Sequence, residues 1–454
     1  MRPASILCVW FAVQAAGAAD SLSLAQAVEG ALKNYPSIQV SAEQIDAAAA
    51  GIRLARTAYL PRVDAAAQVN RATRNNVFGL LLPQSVIPSM SGPVIGSNNF
   101  GTAWGSAIGA LVAWEPFDFG LRQANVAAAE AARTKEEAAL QRTRYDVAVA
   151  TADAYLTLAA AQETVRAAQA GVDRAETILK TVRALTQAEL RPGADAARAE
   201  AEAAAARTEW DQARQATEVA RANLARFVGL EPERISIAAA HLAELPAERN
   251  AAAPDAAANP VVVEQNAVVE QTRAQLRALE RSYFPRFSVQ GAAYARGTGA
   301  ETNGVNLGGL NGLAPSVQNY AVGFSVTFPV MDKPAIEARE AVQAANLLAQ
   351  AARARQLATD LRAQWNVAVA NLQGARRVAA NVPVQVAASR TAAEQAAARY
   401  RAGLGNIDEV AEAQRLVTQA EIDDALARLS VWRALLGLAS AAGDIQPFVA
   451  EVGQ

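Results

Sequence analysis

The chain has 454 residues, 42 basic and 44 acidic side chains and a formal net charge of -2, so no basic field is present to hold nucleic acid. Aromatic residues make up 6%, and long runs of Ala, Glu, Gln and Arg favour helix over a bulky globular core. A single cysteine, Cys8, leaves disulfide frameworks and thiolate metal centres without their residues; the single histidine, His241, falls in a linker and no dinucleotide fingerprint follows a strand, so no enzyme activity, metal or cofactor is expected.

The N-terminus reads as an export signal. Arg2 precedes the apolar stretch Ile6 to Val13, and Ala16-Gly17-Ala18 supplies a small-residue cleavage pattern before Asp20. Residues 1–18 are assigned to it. Cys8 lies inside the apolar stretch without the small residue that lipid-attachment sites place before the cysteine, so it is read as part of the signal. No later segment supplies the ~20 uninterrupted apolar residues of a membrane helix. An exported chain of this kind is soluble in the periplasm, secreted, or a β-barrel of an outer membrane.

A first repeat is expected over 19–230. Pro36 opens a helical run that ends in Tyr59-Leu60-Pro61-Arg62. Strands follow at about 62–72 and 103–114. Val63, Ala65, Ala67 and Val69 alternate with Asp64, Gln68 and Asn70, while Trp104, Ile108, Val112 and Trp114 share the face of the returning strand. Trp104 and Trp114 stand ten residues apart, a spacing that places one near each interface of a ~25 Å apolar band. An Asp-centred turn, "WEPFDFG", holds Asp118. From Gly120 to Gly193 an unbroken helix would be ~110 Å long. Its seam of Ala154, Leu158, Ala161, Val165, Ala168, Val172, Ala175, Leu179 and Val182 has coiled-coil spacing, with Ala at alternate positions permitting close approach. A return helix runs from Ala194 to Gly229 and stops in "FVGL".

Residues 231–258, with Pro232, Pro246 and Pro254, are read as a linker. The second repeat, 259–443, has the same order. Pro260 opens a helix that stops at Tyr283-Phe284-Pro285-Arg286, and strands at about 286–296 and 319–329 flank a Gly/Asn-rich loop. Phe287, Val289, Gly291, Ala293 and Ala295 share one face of the first strand. Tyr320, Val322, Phe324, Val326 and Phe328 share one face of the second. "FPVMDKP" with Asp332, a long helix containing Pro383, a turn at Gly405, and "LLGL" (Leu435 to Leu438) complete the copy, and 444–454 is a C-terminal tail.

This duplicated order of Pro-bounded helix, "YLPR"/"YFPR", strand hairpin, "PFDFG"/"PVMDKP", long Ala-rich helix and Gly turn resembles the TolC-like outer-membrane efflux proteins over essentially the whole mature chain. The resemblance implies a mainly α fold with a membrane β-barrel: a homotrimer whose chains share one twelve-stranded barrel in outer-membrane lipid and an α-helical periplasmic barrel. It also implies an outer-membrane exit duct, engaged by a periplasmic adaptor protein and an inner-membrane pump, in a Gram-negative bacterium. Glu409 and Glu412 take the positions of the family's constricting acidic residues. Adaptor docking falls to Ala402, Gly403 and Leu404 at one tip, and to Glu189 and Leu190 at the other, where the glycine is missing. The sheet residues Trp104, Trp114, Tyr320, Val322, Phe324, Val326 and Phe328 are expected to face lipid. Glu200 and Glu202 have no matching family role. The alternatives within the class are protein secretion by a dedicated transporter and metal-ion efflux. A soluble periplasmic coiled-coil adaptor is the alternative of another class, distinguished by having no need of amphipathic strands.

Overall fold

The computed structural model describes residues 21–73, 102–247, 255–299, 301 and 305–452, so the expected export signal and Cys8 lie outside the described residues. In chain order the elements are α1 (Leu24–Asn34), α2 (Pro36–Thr57), β1 (Arg62–Thr73), β2 (Thr102–Phe117), α3 (Leu121–Gln187), α4 (Gly193–Val228), α5 (Pro260–Arg281), β3 (Arg286–Thr298), β4 (Val317–Thr327), α6 (Lys333–Arg401), α7 (Ile407–Ala442) and α8 (Gln446–Val452). The strand-hairpin and long-helix repeat occurs twice. The chain divides into two compact units.

One unit comprises Met1–Ala42, Ala138–Glu264 and Arg355–Gln454. Its core gathers α1, α3, α4, α7 and α8. Helix α1 starts in a capping box: Ser23 Oγ accepts from the Gln26 N–H at 3.2 Å, and Gln26 Oε1 accepts from the Ser23 N–H at 2.9 Å. Leu24, Ala27 and Val28 then bury their face in a cluster with Tyr155, Leu156, Leu158, Leu224 and Val228, each large aliphatic side chain contributing roughly 1.5–3 kcal/mol by leaving water. The Tyr155 hydroxyl shares its proton between the carbonyls of Leu22 at 3.1 Å and Ala238 at 3.0 Å. Burial raises that phenol to about 12. Those carbonyls flank the bridge between Leu22 and Ile237, so the segment expected as a linker is docked: Ile235, Ile237 and Leu242 are all buried. The expected tail likewise contains α8, whose Phe448, Val449 and Val452 are buried. Helix α7 is apolar enough over one window to cross a membrane by length and composition, yet Val431, Trp432 and Leu436 lie in core clusters.

The repeat also stops twice in one way. Gly229 ends α4 in the left-handed region at φ 77°, with Asn34 Nδ2 donating to the Val228 carbonyl at 3.1 Å. Gly443 ends α7 at φ 81°, with the fully buried Asn259 beside it. Each asparagine thus sits just before a proline-opened helix and against the glycine that closes the return helix. The sequence places the second stop at "LLGL", but α7 continues through Gly437 because Leu436, Leu438 and Ala441 beyond and beside it are still buried. Only Gly443 carries the positive φ of a helix C-cap.

The other unit comprises Glu43–Glu137 and Gln265–Ala354. Its four strands form one antiparallel sheet in the order β1-β2-β3-β4. Strands β2 and β3 join the two repeats edge to edge, with Val112 opposite Gly291 and Trp114 opposite Val289. At the foot of β2, Phe119 adopts φ 52° and packs on Phe117, Phe284 and Phe287. The chain turns there on Asp118, which accepts from the N–H groups of Gly120 at 3.2 Å and Arg122 at 2.8 Å. Arg122 Nε closes an ion pair with Asp118 at 2.9 Å, both side chains being under a tenth exposed. Its guanidinium also reaches the Ala58 carbonyl and lies 4.7 Å above the Tyr59 ring. Asp332 does not repeat this corner; there Lys333 lies 6.0 Å over Tyr283 and pairs with Glu337 at 3.7 Å.

Candidate functional site

Register decides what each sheet face can do, because directly opposed side chains point the same way. Pairing aligns Val63 with Val112, Val112 with Gly291, and Gly291 with Val322. One face therefore carries Val63, Ala65, Ala67 and Val69, then Ile108, Ala110, Val112 and Trp114, then Phe287, Val289 and Ala293, and finally Tyr320, Val322, Phe324 and Val326. The opposite face carries the polar side chains Asp64, Gln68, Ser288, Gln290, Tyr294, Arg296, Asn319 and Ser325, set among Leu111, Val317 and small residues such as Ala66, Gly109, Ala292 and Ala321. The apolar face is open: Tyr320 is 86% exposed, Val322 80% and Phe324 65%. A water-soluble sheet would leave its apolar face covered and its polar face open.

The expected lipid-facing residues do not all share one environment. Trp114 is exposed and donates from Nε1 to the Tyr59 carbonyl at 3.1 Å. Phe328, just past β4, sets its ring edge on Tyr283 at 5.4 Å. Trp104 is only half exposed, because the Arg71 guanidinium lies 5.3 Å from its ring centre and chain from the β3–β4 loop packs at its backbone.

In the helical unit the long helices end in two matching turns. The N–H groups of Glu189 and Leu190 bond to the carbonyls of Thr186 and Leu185, and those of Gly403 and Leu404 bond to Tyr400 and Arg399. Both are Schellman closures with the penultimate residue left-handed, Glu189 at φ 61° and Gly403 at φ 80°. Leu190 is 70% exposed and Leu404 73%. The sequence centres these turns on Gly193 and Gly405. Neither carries the positive φ, and Gly193 is the first residue of α4.

Between the two turns lies a constellation that sequence reading misses. Tyr400 is 3% exposed among Leu179, Val182, Ala199, Ile407 and Val410. Its hydroxyl donates to Asp195 Oδ2 at 2.8 Å. Arg191 stacks on its ring at 4.3 Å and donates to its carbonyl oxygen. Burial first, and Asp195 second, raise the phenol to about 12. The available signals are small: one tyrosine in an otherwise Ala-rich helix end, and an acid in the first turn of α4.

Glu409 and Glu412 are both exposed, but they differ in their partners. The N–H of Glu409 is capped by Asn406 Oδ1 at 2.8 Å. Glu412 pairs with Arg415 at 3.2 Å; Arg415 is also 3.7 Å from Glu202, Glu202 pairs with Arg198 at 3.1 Å, and Arg198 with Asp408 at 3.3 Å. Glu202, which has no role by sequence, is thereby tied into the same α4–α7 chain of charges. Glu200 pairs separately with Arg183 at 3.1 Å. Farther from the turns Glu421, largely buried, bridges Arg174 of α3 at 3.0 Å and Arg390 of α6 at 2.8 Å.

Residues 27–230 and 255–444 match the family model of outer membrane efflux proteins. No curated protein sequence matches the chain. Among solved structures, the outer-membrane channel OprN has a TM-score of 0.72 at 21% identity, over 92% of this chain and 89% of its own. The Campylobacter jejuni CmeC outer membrane channel has a TM-score of 0.72 at 15% identity, over 95% and 89%. The open-state Neisseria gonorrhoeae MtrE outer membrane channel has 0.68 at 18%, over 94% and 91%. At such identities the likeness to each structure is one of fold. With the family match spanning both repeats, the chain belongs to the outer membrane efflux protein family.

Proposed function

We propose that this protein is the outer-membrane exit duct of a tripartite efflux system, conducting substrates passively from the periplasm once an inner-membrane pump and a periplasmic adaptor engage it. The observation that carries the reading is the sheet: four strands with an open apolar face, an opposite face that holds most of the polar side chains and, among the described residues, unpaired edges at β1 and β4. Open edges are not tolerated in lipid, so the sheet must close on other copies. Three chains supply twelve strands, an even number in the range of membrane barrels. The apolar face then meets lipid and the polar face lines the duct.

At the periplasmic end, Ala402, Gly403 and Leu404, together with Glu189 and Leu190, offer adaptor-docking turns with two exposed leucines. Glu409 forms the more strongly charged constriction, because Glu412 is partly neutralised by Arg415. Tyr400, Asp195 and Arg191 hold the two turns together in the closed tip. No catalytic step is assigned to the chain.

The test combines mass and conductance. Detergent-solubilised protein is expected to have the mass of a trimer and to form ion-conducting pores in a planar bilayer. A monomer that still conducts overturns the shared barrel. A protein that is soluble without detergent and never conducts assigns the chain instead to the soluble adaptors.

A further inference from the structure

Beyond the strands, the loop joining β3 to β4 has a composition and a placement that duct function does not require. From Val305 to Val317 it carries no charged residue. Leu310 is 73% exposed, Val305 50% and Leu307 46%. Its two asparagines from Val305 onward are engaged by backbone groups of the loop and of β2. Asn306 Nδ2 donates to the Thr102 carbonyl at 2.8 Å and its Oδ1 accepts from the Gly308 N–H at 2.9 Å. Asn311 Nδ2 lies 3.1 Å from the Leu307 carbonyl and 3.0 Å from that of Gly308. Asparagine side chains engaged by backbone, with leucines left outside, suit an apolar solvent.

Two glycines fix which side of the sheet the loop lies on. Gly297 pairs with Ser106 and shares the face of Phe287, Val289 and Ala293. A Cβ built there would overlap the Ala314 and Gly312 carbonyl oxygens and crowd the Ser106 hydroxyl. Gly312, at φ 94°, would likewise drive a Cβ into the backbone of Trp104 and Gly299. The returning limb of the loop therefore crosses the apolar face of the last rung and lies alongside Trp104, where only glycine allows such an approach. It does not cross the polar face.

We propose that the limb of this loop from Val305 to Ser316 is a lipid-contact element: it folds over the outside of the barrel rim at the end of the sheet remote from α5 and α6, and sets Leu307 and Leu310 into the outer-leaflet boundary between head groups and acyl chains. The inference rests on the barrel reading above, and the loop is continuous with the face that reading gives to lipid. Half-exposed Trp104 and Arg71 mark the same level, as aromatic and cationic side chains do at membrane interfaces.

The experiment places nitroxide labels in a Cys8→Ser background at Leu307→Cys, Leu310→Cys, Val322→Cys on the apolar face and Asn319→Cys on the polar face, with the protein reconstituted in phosphatidylcholine vesicles. Relaxation by oxygen, which partitions into lipid, is compared with relaxation by a water-soluble nickel chelate. The expected oxygen-to-nickel ratio at 307 and 310 lies near that at 322 and several-fold above that at 319. Ratios at 307 and 310 that match 319 while 322 stays lipidic place the loop in water and overturn the inference alone. A low ratio at 322 as well removes the barrel reading, and the loop proposal with it.

Discussion

Tyr400→Phe removes one atom from the tip and leaves the rest in place. The ring stays in its apolar site, the Arg191 guanidinium can still stack on it, and the bond to the residue 400 carbonyl is untouched. What is lost is the 2.8 Å bond to Asp195, and a hydrogen bond to a charged group contributes about 1.5–3 kcal/mol. If that bond exists only in the closed tip, the closed-to-open ratio falls roughly 10- to 150-fold for each subunit. Single-channel recording in planar bilayers reads this as longer or more frequent high-conductance openings, and Asp195→Asn should act in the same direction. The pH dependence has a definite sign. The phenol is raised to about 12 in the folded protein against an ordinary 10, so its contribution is complete below 10 and is lost as pH rises towards 12. Wild-type channels should therefore open over that window, and Tyr400→Phe channels should show a smaller change. A variant with lowered thermal stability and wild-type conductance refutes the reasoning, because the bond would then hold both states alike.

Phe324→Arg places a cation near the middle of the apolar face, where the cost is about 2–4 kcal/mol in such barrels; recovery of membrane-assembled oligomer is expected to fall, and unchanged recovery would move the lipid face elsewhere. Asp118→Asn leaves Arg122 buried without its counter-charge, a loss of about 3–5 kcal/mol, read as a lower thermal midpoint in detergent; a loss below about 1 kcal/mol would make the corner an ordinary turn. Glu409→Gln should weaken cation selectivity in reversal-potential measurements more than Glu412→Gln does, since Arg415 already offsets Glu412; equal effects, or none, place the constriction outside these residues. Glu189→Gly relieves a left-handed backbone that costs a residue with a side chain about 1–2 kcal/mol, so the thermal midpoint should rise, and a fall would show that the Glu189 side chain contributes more than its backbone costs.

Strands and corners are legible in the sequence because each is bounded locally. A proline before Arg62 and before Arg286 starts the strand, and alternation of apolar side chains over ten or so residues has no helical reading. The long helices are legible for the same reason: buried Leu158, Ala168, Val172, Leu179 and Val182 recur at heptad spacing. Helix α1 escapes because its 11 residues precede Pro36, where the part of the repeat that the sequence visibly duplicates begins. The stop at Gly443 escapes because Gly437 offers the same local signal, and only the burial of Leu438 and Ala441 separates them. Tyr400 and Asp195 are 205 positions apart, as far out of reach of any spacing argument as the 3.7 Å approach of Arg415 to Glu202. Glu412 and Arg415, three apart on one helix, are readable as a pair, which lowers the charge expected at Glu412.

Comparing the two copies separates what closure imposes from what function selects. The helix stops are conserved in kind: an asparagine, a proline-opened helix and a left-handed glycine meet at both ends, Asn34 with Gly229 and Asn259 with Gly443. There the backbone of one helix must end against the start of another, and few residues allow it. The tips obey one backbone pattern too, yet at the left-handed position one has Gly403 and the other Glu189. Geometry favours glycine at both, so a carboxylate at one of them is not explained by folding. In the proposed trimer, six turns would then be of two kinds, three presenting bare backbone beside Leu404 and three presenting a carboxylate beside Leu190. An adaptor of the proposed kind that approached both would have to match an apolar contact at each and supply a cationic contact at only one, so the two copies of the repeat, alike in how they close, would offer it different docking chemistry.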